Sequence, residues 1–283
     1  MQTLPIIDRL NKVRREGSEK QRLLVDHIFA NLRECSYAST HDLAAQQGVD
    51  AATVVRLSQR LGFKRYDDFR QSLRAHYLST LEPIDLLQEQ SHVPSTDVAE
   101  NALRQDLRVL ARLVKTVDYA SLHALATQLT AARRIVVVGF GEHGGVAIAL
   151  AHLLSYLGLD VVSETRGSIY LSAQVANLGP ADLLISFSFW RPARDTLQAF
   201  AWCHKQGVCT AIISDSSTSQ IAREAQHTII VPCEAISFFQ TMTAALSTVH
   251  ALVALVAMNG GDRAAQAIQL SRTYNREFGV VVS

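Results

Sequence analysis

Apolar residues recur at helical spacing through the first 80 positions, which predicts a bundle of short helices. The clearest pair of helices falls within residues 40–62, on either side of Gly48. A glycine there can take the left-handed conformation that a sharp turn between two helices requires. This pattern is typical of a helix-turn-helix, whose second helix enters the major groove of DNA. The apolar residues with the spacing of two crossing helices are Leu43, Ala44, Val49, Val54 and Leu57.

From residue 134 onward the period changes, and short β-branched runs alternate with helical stretches. Short connections between such strands and helices predict a parallel sheet that is covered on both faces. Two helices within residues 97–134 precede the sheet, and a long apolar helix over residues 237–258 follows it. The predicted fold class is therefore α + α/β. The five predicted strands lie within residues 134–140, 160–165, 181–189, 208–214 and 227–232.

A stretch with two of the six prolines and no strong periodicity, residues 80–96, separates the two patterns and predicts a linker. We therefore predict a helix-turn-helix domain over residues 1–79 and a second domain over residues 97–283. Residues 1–80 carry 13 Lys and Arg against 9 Asp and Glu, whereas the remainder carries 14 against 17. The basic excess thus coincides with the helix-turn-helix, where it favours contact with DNA phosphates.

The second helix of the pair is predicted to carry the DNA contacts. Thr40 and Asp50 are predicted to cap the two helices, because a short side-chain oxygen accepts a hydrogen bond from a free amide at a helix start. Alanine can meet thymine methyl groups, threonine and glutamine can bind base edges or phosphate, and arginine can bind guanine or the backbone. An ordinary helical hairpin remains the alternative. The predicted DNA-binding residues are Thr40, Ala51, Ala52, Thr53, Arg56, Gln59, Arg60 and Lys64.

Three predicted strands end in small polar segments, namely residues 139–145, 186–196 and 214–219. In an open parallel sheet, ligands bind at the carboxyl ends of the strands. Serine hydroxyls and helix amides at these ends can hold a phosphate or an array of sugar hydroxyls. Ordinary strand-to-helix turns also use serine and glycine, but three such ends together favour a binding site.

The first of these segments also contains the spacing G-x-G-x-x-G, with Gly139, Gly141 and Gly144. Glu164 ends the next predicted strand, where a dinucleotide site would place an acidic residue on the ribose. A regulator that senses a dinucleotide is therefore kept as an alternative.

An isomerase is the second alternative, because isomerisation needs a base that moves a proton between adjacent carbons. The candidate bases are Glu142, His143, Glu234 and His250, and no paired constellation is visible among them. We therefore expect a protein that is not an enzyme.

The four cysteines form no CxxC pair and have no metal-binding spacing, which predicts buried free thiols in a reducing cytoplasm. The most apolar stretch, residues 244–258, is too short to span a bilayer and predicts a buried helix. No signal peptide is visible, so we expect a cytoplasmic protein without a membrane partner, a metal or a cofactor. The cysteines are Cys35, Cys203, Cys209 and Cys233.

The N-terminal stretch THDLAAQQGVDAATVVRLSQRLGFKRYDDFR resembles the helix-turn-helix signature of the RpiR family of bacterial transcription regulators. The later stretches GFGEHGGVA, DLLISFSF and AIISDSSTSQIAREAQHTIIV are similar to the SIS (sugar isomerase) domain that follows in that family. The resemblance implies a regulator of carbohydrate metabolism whose SIS domain binds a sugar phosphate and so changes how a dimer or tetramer holds operator DNA.

The resemblance also implies which positions face the effector, and two of them depart from the family pattern. His143 replaces the usual serine of the first segment, and Phe189 replaces a glycine of the second. His143, Arg191 and Arg194 could supply cationic contacts to an anion, whereas Phe189 and Trp190 could reshape the pocket for another ligand. The predicted effector-binding residues are Gly139, Gly141, His143, Ser186, Ser188, Arg191, Ser214, Ser216 and Ser217.

Overall fold

The chain divides into two compact units, residues 1–94 and residues 95–283. The predicted linker, residues 80–96, falls outside the described residues except at Thr80, and its boundaries stay a prediction. The computed structural model describes residues 6–63, 65–80, 98–190, 192–217, 219–236 and 239–280.

Six helices build the described part of the first unit, and their apolar faces form one core. The fully buried side chains of this core include Leu24, Leu57, Phe69 and Leu73, as their helical spacing predicted. The backbone leaves the helical region at Asn31 (φ −131°, ψ 50°), so two separate helices lie on either side of it. The helices are α1 (Ile6–Glu16), α2 (Glu19–Ala30), α3 (Leu32–Tyr37), α4 (Thr40–Gln46), α5 (Ala51–Arg60) and α6 (Tyr66–Thr80).

The described part of the second unit contains a five-stranded sheet in which all neighbouring strands are parallel. This arrangement confirms the predicted α + α/β class. The elements are α7 (Val98–Thr116), α8 (Tyr119–Ala131), β1 (Ile135–Val138), α9 (His143–Tyr156), β2 (Val161–Glu164), α10 (Ser168–Val175), β3 (Leu183–Phe187), α11 (Arg194–Lys205), β4 (Cys209–Ser214), α12 (Gln220–Glu224), β5 (His227–Ile230) and α13 (Thr243–Glu277). The strand order is β2-β1-β3-β4-β5.

Both faces of the sheet are covered, which explains why β1 is apolar and buried at every position. Ile135 and Val137 of β1 face a core shared with α7, α8, α9 and α13. Val136 and Val138 face a second core shared with α10, α11 and α12. Alternate residues of one strand therefore enter different cores, as a parallel sheet between two helical layers requires.

The last helix is longer than the pattern predicted. The apolar stretch was expected to end at residue 258, but α13 runs to Glu277 across a break at Gly261 (φ 47°, ψ −125°). By length and composition alone α13 could cross a membrane, yet Leu252 and Val256 lie in the core of the second unit. That packing is typical of a core helix in a globular domain.

Candidate functional site

The helix-turn-helix predicted for residues 40–62 is formed by α4 and α5. Gly48 lies between them with φ +60°, the left-handed conformation that the turn was expected to need. A Cβ at Gly48 would meet nothing within 4 Å, so the requirement there is conformational rather than steric. Leu43 and Ala44 from α4 share a buried core with Leu57 from α5, which confirms the predicted packing.

The caps of the two helices differ in part from the prediction. Ser39, not Thr40, caps α4, since its Oγ accepts from the Asp42 amide (3.2 Å) while Asp42 accepts from the Ser39 amide (3.0 Å). This reciprocal capping box needs an acceptor three residues after the cap, and Asp42 has that spacing only from Ser39. Asp50 caps α5 as predicted, because its carboxylate accepts from the Thr53 amide at 2.6 Å.

The outward face of α5 is narrower than expected. Ala52, Gln59 and Arg56 are exposed and Ala51 is half-buried, whereas Thr53 is only 7% exposed. The Thr53 hydroxyl lies 3.0 Å from the Asp50 carboxylate and accepts from Arg56 Nη2 at 2.9 Å. Thr53 was predicted to be exposed for base contact and is instead part of the cap. It holds the Arg56 guanidinium near the amino-terminal end of α5, the end that reads base edges in helix-turn-helix proteins.

Arg60 is exposed but engaged within its own unit. Its guanidinium donates to Gln21 Oε1 (2.7 Å) and to the Glu16 carbonyl oxygen (2.9 Å), so it ties α5 to the junction of α1 and α2. Lys64 lies outside the described residues, and its predicted role stays a prediction.

The predicted effector segments meet at one edge of the second unit. The chain leaves β1 toward β2 and leaves β3 toward β4, so the direction of winding reverses between β1 and β3. Ligands of doubly wound sheets bind in the crevice that this reversal opens at the carboxyl ends of the strands. Ser186 pairs in register with Val138 on one side, and the Ser188 amide donates to the Ile213 carbonyl oxygen on the other (3.1 Å). The ends of β1, β3 and β4 are therefore adjacent.

The glycines of the first segment are explained by packing and by the turn. A Cβ on Gly139 would lie 2.6 Å from the His143 carbonyl oxygen, and one on Gly144 would lie 3.3 Å from the Gly139 carbonyl oxygen. Gly141 has φ +59°, which disfavours other residues. These glycines let the end of β1 approach the start of α9 closely, and they aim the amino-terminal end of α9 at the crevice.

Glu164, the acidic residue of the dinucleotide alternative, is fully buried and paired with Arg166. Its Oε1 accepts from the Arg166 amide at 2.8 Å, and its Oε2 accepts from Arg166 Nη2 at 2.9 Å. Burial opposes ionisation, but these hydrogen bonds outweigh it and lower the pKa of Glu164. A carboxylate held in this way is poorly placed to accept from a ribose, which disfavours the dinucleotide alternative.

His143 begins α9, and its ring packs edge-on against Phe189 with 5.3 Å between ring centroids. Its Nε2 is buried and has no hydrogen-bond partner among the described residues, and the Glu142 carboxylate lies 3.7 Å away. Burial lowers the pKa of His143 to about 4, so the imidazole is neutral near pH 7. Without a ligand it carries no positive charge near pH 7, but it can donate or accept one hydrogen bond, and its predicted role in binding an anion stays a prediction.

The serines at the strand ends differ in their environment. Ser186 is fully buried, and its Oγ has no hydrogen-bond partner among the described residues. Ser188 and Ser214 are 6% and 2% exposed, respectively. Ser216 is half-buried and donates its amide to Ser214 Oγ (3.4 Å), while Ser217 is exposed. The hydroxyl of Ser186 is therefore the one that the protein itself leaves unsatisfied in this group.

The segment after β3 has an unusual backbone conformation. Trp190 has φ +59°, and its amide donates to Asp215 Oδ1 at 3.0 Å, which holds this unusual conformation in place. Phe189 is 1% exposed and fills space beside His143. Arg191 lies outside the described residues, and Arg194 is an exposed residue at the start of α11.

A charged cluster beside the crevice was not predicted. Burial and the neighbouring Asp215 carboxylate raise the pKa of the Cys233 thiol, and burial also raises the pKa of Asp215. Arg112 of α7 forms an ion pair with Glu234, the residue that follows Cys233. No local pattern in the sequence could reveal this pair, because 122 positions separate the two residues and the tertiary fold brings them together.

Comparisons with known proteins agree with this architecture. The model of the rpiR-family helix-turn-helix domain matches residues 1–80, and the model of the SIS domain matches residues 128–255. The sugar isomerase domain of an RpiR transcription factor from Sphaerobacter thermophilus is 28% identical, with a TM-score of 0.61, and the match covers 63% of this chain and 99% of that chain.

Two further solved structures share the fold at lower identity. NanR from Vibrio vulnificus, solved in complex with ManNAc-6P, is 20% identical with a TM-score of 0.62, over 98% of this chain and 100% of that chain. A proposed sugar-phosphate isomerase from Listeria monocytogenes is 20% identical with a TM-score of 0.51, over 58% of this chain and 88% of that chain. The order of domains predicted from the sequence is therefore confirmed.

Proposed function

As a member of the RpiR family of helix-turn-helix regulators with a SIS domain, the chain is a DNA-binding transcription regulator, and we propose how it binds its two partners. In this proposal α5 contacts operator DNA, and the strand-end crevice of the SIS domain binds a sugar phosphate or a related anion. One observation carries the second assignment: Ser186 Oγ and His143 Nε2 are buried at this crevice and have no hydrogen-bond partner within the described part of the chain. Buried polar atoms are nearly always paired, so a ligand is the simplest partner for both.

The chemistry of the crevice suits a phosphorylated sugar. The amino-terminal end of α9 carries partial positive charge, which favours phosphate oxygens. Neutral His143 and the serine hydroxyls add uncharged hydrogen bonds, and the Glu142 carboxylate can accept from sugar hydroxyls. The complex of Vibrio vulnificus NanR with ManNAc-6P supports this ligand class.

On the DNA side, we propose that two chains pair so that two α5 helices enter successive major grooves. Half-sites about 34 Å apart, one helical turn of DNA, are the expected geometry. Exposed apolar side chains on α7 and α13, such as Leu103, Leu107 and Met258, support self-association through these helices. Arg56 is the cation of α5 best placed to reach DNA, because Arg60 is held within its own unit. An operator-binding role also supports a cytoplasmic location.

The first test measures ligand binding to the full chain by titration calorimetry. The probes are ManNAc-6P, a panel of other sugar phosphates, the matching sugars without phosphate, and inorganic phosphate. Ser186→Ala should weaken binding of the best sugar phosphate by about 10-fold or more, since a hydrogen bond to a charged group contributes about 1.5–3 kcal/mol. Ser172→Ala, an exposed serine on α10, is the matched control. Equal affinity of Ser186→Ala and the wild type would refute the assigned crevice.

We further propose that the SIS domain binds its ligand without turning it over. Among the predicted bases, Glu234 is ion-paired with Arg112, and His250 is exposed on α13. Glu142, whose pKa burial raises, lies beside His143 and is the remaining candidate. Isomerisation of an aldose phosphate by the wild type, abolished in Glu142→Gln, would establish an enzyme instead.

A further inference from the structure

Helix α7 is fastened by polar contacts to the segment that follows β5. Gln105 Nε2 donates to the Glu234 carbonyl oxygen at 2.8 Å, and the Arg112 guanidinium pairs with the Glu234 carboxylate. Thr243 Oγ1 donates to Asp106 Oδ2 at 2.8 Å. These contacts spread over two turns of α7, so the position of the helix depends on where residues 233–243 lie.

The start of this segment, Cys233, lies beside the end of β4. Cys233 is buried next to Asp215, whose carboxylate accepts from the Trp190 amide at 3.0 Å. Glu142, which precedes α9, is also close enough to influence the Cys233 thiol electrostatically. A change in the loops after β1, β3 or β4 therefore alters the surroundings of Cys233. The next residue, Glu234, contacts α7.

Helix α7 is also the element through which the second unit continues from the first. It begins at Val98, directly after residues 81–97, which lead along the chain from the helix-turn-helix. The chain therefore passes from the helix-turn-helix unit into the second unit through residues 81–97 and then α7.

We infer that the Arg112–Glu234 ion pair is the contact through which the crevice acts on α7, and so on DNA binding. The inference rests on the proposed function. The side chains of Arg112 and Glu234 are 30% and 38% exposed, so the pair is partly shielded from water. A ligand hydroxyl that donates to Glu234 would compete with Arg112, and a partly buried cation that loses its partner is destabilised. Helix α7 would then shift to satisfy its guanidinium elsewhere.

The test is a charge exchange in the full chain without added ligand. The variants are Arg112→Glu, Glu234→Arg and the double exchange, assayed for affinity to duplex DNA that the wild-type chain selects from a random pool. Each single variant should change the operator Kd about fivefold or more, the lower end of common allosteric couplings, and the double exchange should restore it to within about twofold. Ligand-free protein makes the outcome independent of the identity of the effector.

Two controls separate coupling from general damage. Arg104→Glu makes the same substitution on α7, where Arg104 pairs with Glu100 one turn away on the helix surface. Val137→Ala removes a fully buried side chain from β1 and lowers stability without touching the pair. Both should leave the operator Kd within about twofold of the wild type, as expected for sites outside the coupling contact.

The outcomes are distinct. A shift in both single variants with recovery in the double exchange supports the inference. Unchanged operator affinity in folded Arg112→Glu and Glu234→Arg overturns it and leaves the proposed function intact. The same conclusion follows if Val137→Ala changes the operator Kd as strongly as they do. Failure of the wild-type chain to select any DNA sequence would overturn the proposed function, and the inference with it.

Discussion

Two glycines near the start of α9 allow a sharp test of the crevice geometry. A Cβ on Gly139 would lie 2.6 Å from the His143 carbonyl oxygen, 2.9 Å from its carbonyl carbon and 3.0 Å from Ala147 Cβ. Gly145 lies inside α9, and a Cβ there would meet nothing within 4 Å. The same substitution, glycine to alanine, should therefore have opposite effects at two positions six residues apart.

The magnitudes follow from the surroundings. At Gly139 the obstructing atoms belong largely to the backbone of α9, so the helix start must move, and overpacking of this kind costs about 1–3 kcal/mol. At Gly145 the alanine enters an exposed helical position and removes the entropic penalty of glycine, a gain of about 0.5–1 kcal/mol. The two variants should differ in the free energy of unfolding by about 1.5–4 kcal/mol.

Tryptophan fluorescence can follow this difference in the second unit alone, because both tryptophans of the chain, Trp190 and Trp202, belong to that unit. For a domain of this size, 1 kcal/mol corresponds to about 2–4 °C in Tm. Gly139→Ala should therefore lower Tm by at least about 2 °C, whereas Gly145→Ala should raise it. A Gly139→Ala protein that melts at or above the wild-type temperature would refute the close approach of β1 and α9.

Three other predictions concern single side chains. Arg56→Ala should lower operator affinity about 5- to 150-fold, because a bidentate base contact contributes about 1–3 kcal/mol, while sugar-phosphate affinity stays unchanged in calorimetry. Arg60→Ala should instead lower the thermal stability of the first unit, measured by circular dichroism, because it removes the hydrogen bonds to Gln21 and Glu16. His143 should make stability depend on pH, because its pKa falls from an ordinary value near 6.5 to about 4 on folding. The unfolded chain then binds more protons between these values, so its contribution is present above about pH 6.5 and is lost as the pH falls toward 4. Between pH 7.5 and 4.5 the wild type should lose on the order of 2 kcal/mol more stability than His143→Asn in denaturant titrations.

Each of these has a result that would contradict it. If Arg60→Ala weakens operator binding without a change in stability, Arg60 contacts DNA and its bonds within the unit are secondary. If Arg56→Ala lowers sugar-phosphate affinity as well, the substitution has disturbed more than the DNA contact. Parallel stability curves for the wild type and His143→Asn would mean that the imidazole is not buried as the packing against Phe189 indicates.

The fold was largely predictable because its determinants are local. The spacing of Leu43, Leu57 and Phe69 predicted the first core, and the change to β-branched runs at residue 134 predicted the sheet. The errors came where neighbouring residues have equivalent chemistry. Ser39 and Thr40 both carry hydroxyls, and only the capping box with Asp42 distinguishes them. Helix α10 was missed because Ile169 and Tyr170, which are 74% and 51% exposed, obscure any amphipathic period.

The convergence of three strand ends was predictable too, since parallel strands place their carboxyl ends at one edge. The protonation and hydrogen bonding of the side chains at that edge could not be predicted. His143 is neutral because Phe189 and the surrounding core exclude water from its ring, and Phe189 lies just after β3, 46 positions further along the sequence. The orientation of the Thr53 side chain likewise depends on its hydrogen bonds with Asp50 and Arg56. The helical spacing of Thr53 alone does not predict these bonds.

The polar groups of the two units differ in how they are hydrogen-bonded, and this difference suggests how the SIS domain can control the helix-turn-helix domain. In α5, the proposed DNA-binding helix, Arg56 is already positioned by Thr53 and Asp50, so the proposed DNA contact needs little local rearrangement. In the SIS domain, the Ser186 hydroxyl and the His143 imidazole have no partner among the residues that the structure describes, and each such group costs the ligand-free state about 1–3 kcal/mol. A ligand that forms hydrogen bonds to both atoms recovers that free energy only in the conformation of the crevice that binds the ligand. Because the recovered energy is of the size of typical allosteric couplings, the crevice can shift a balanced equilibrium of α7 without any change in the DNA-contacting surface itself.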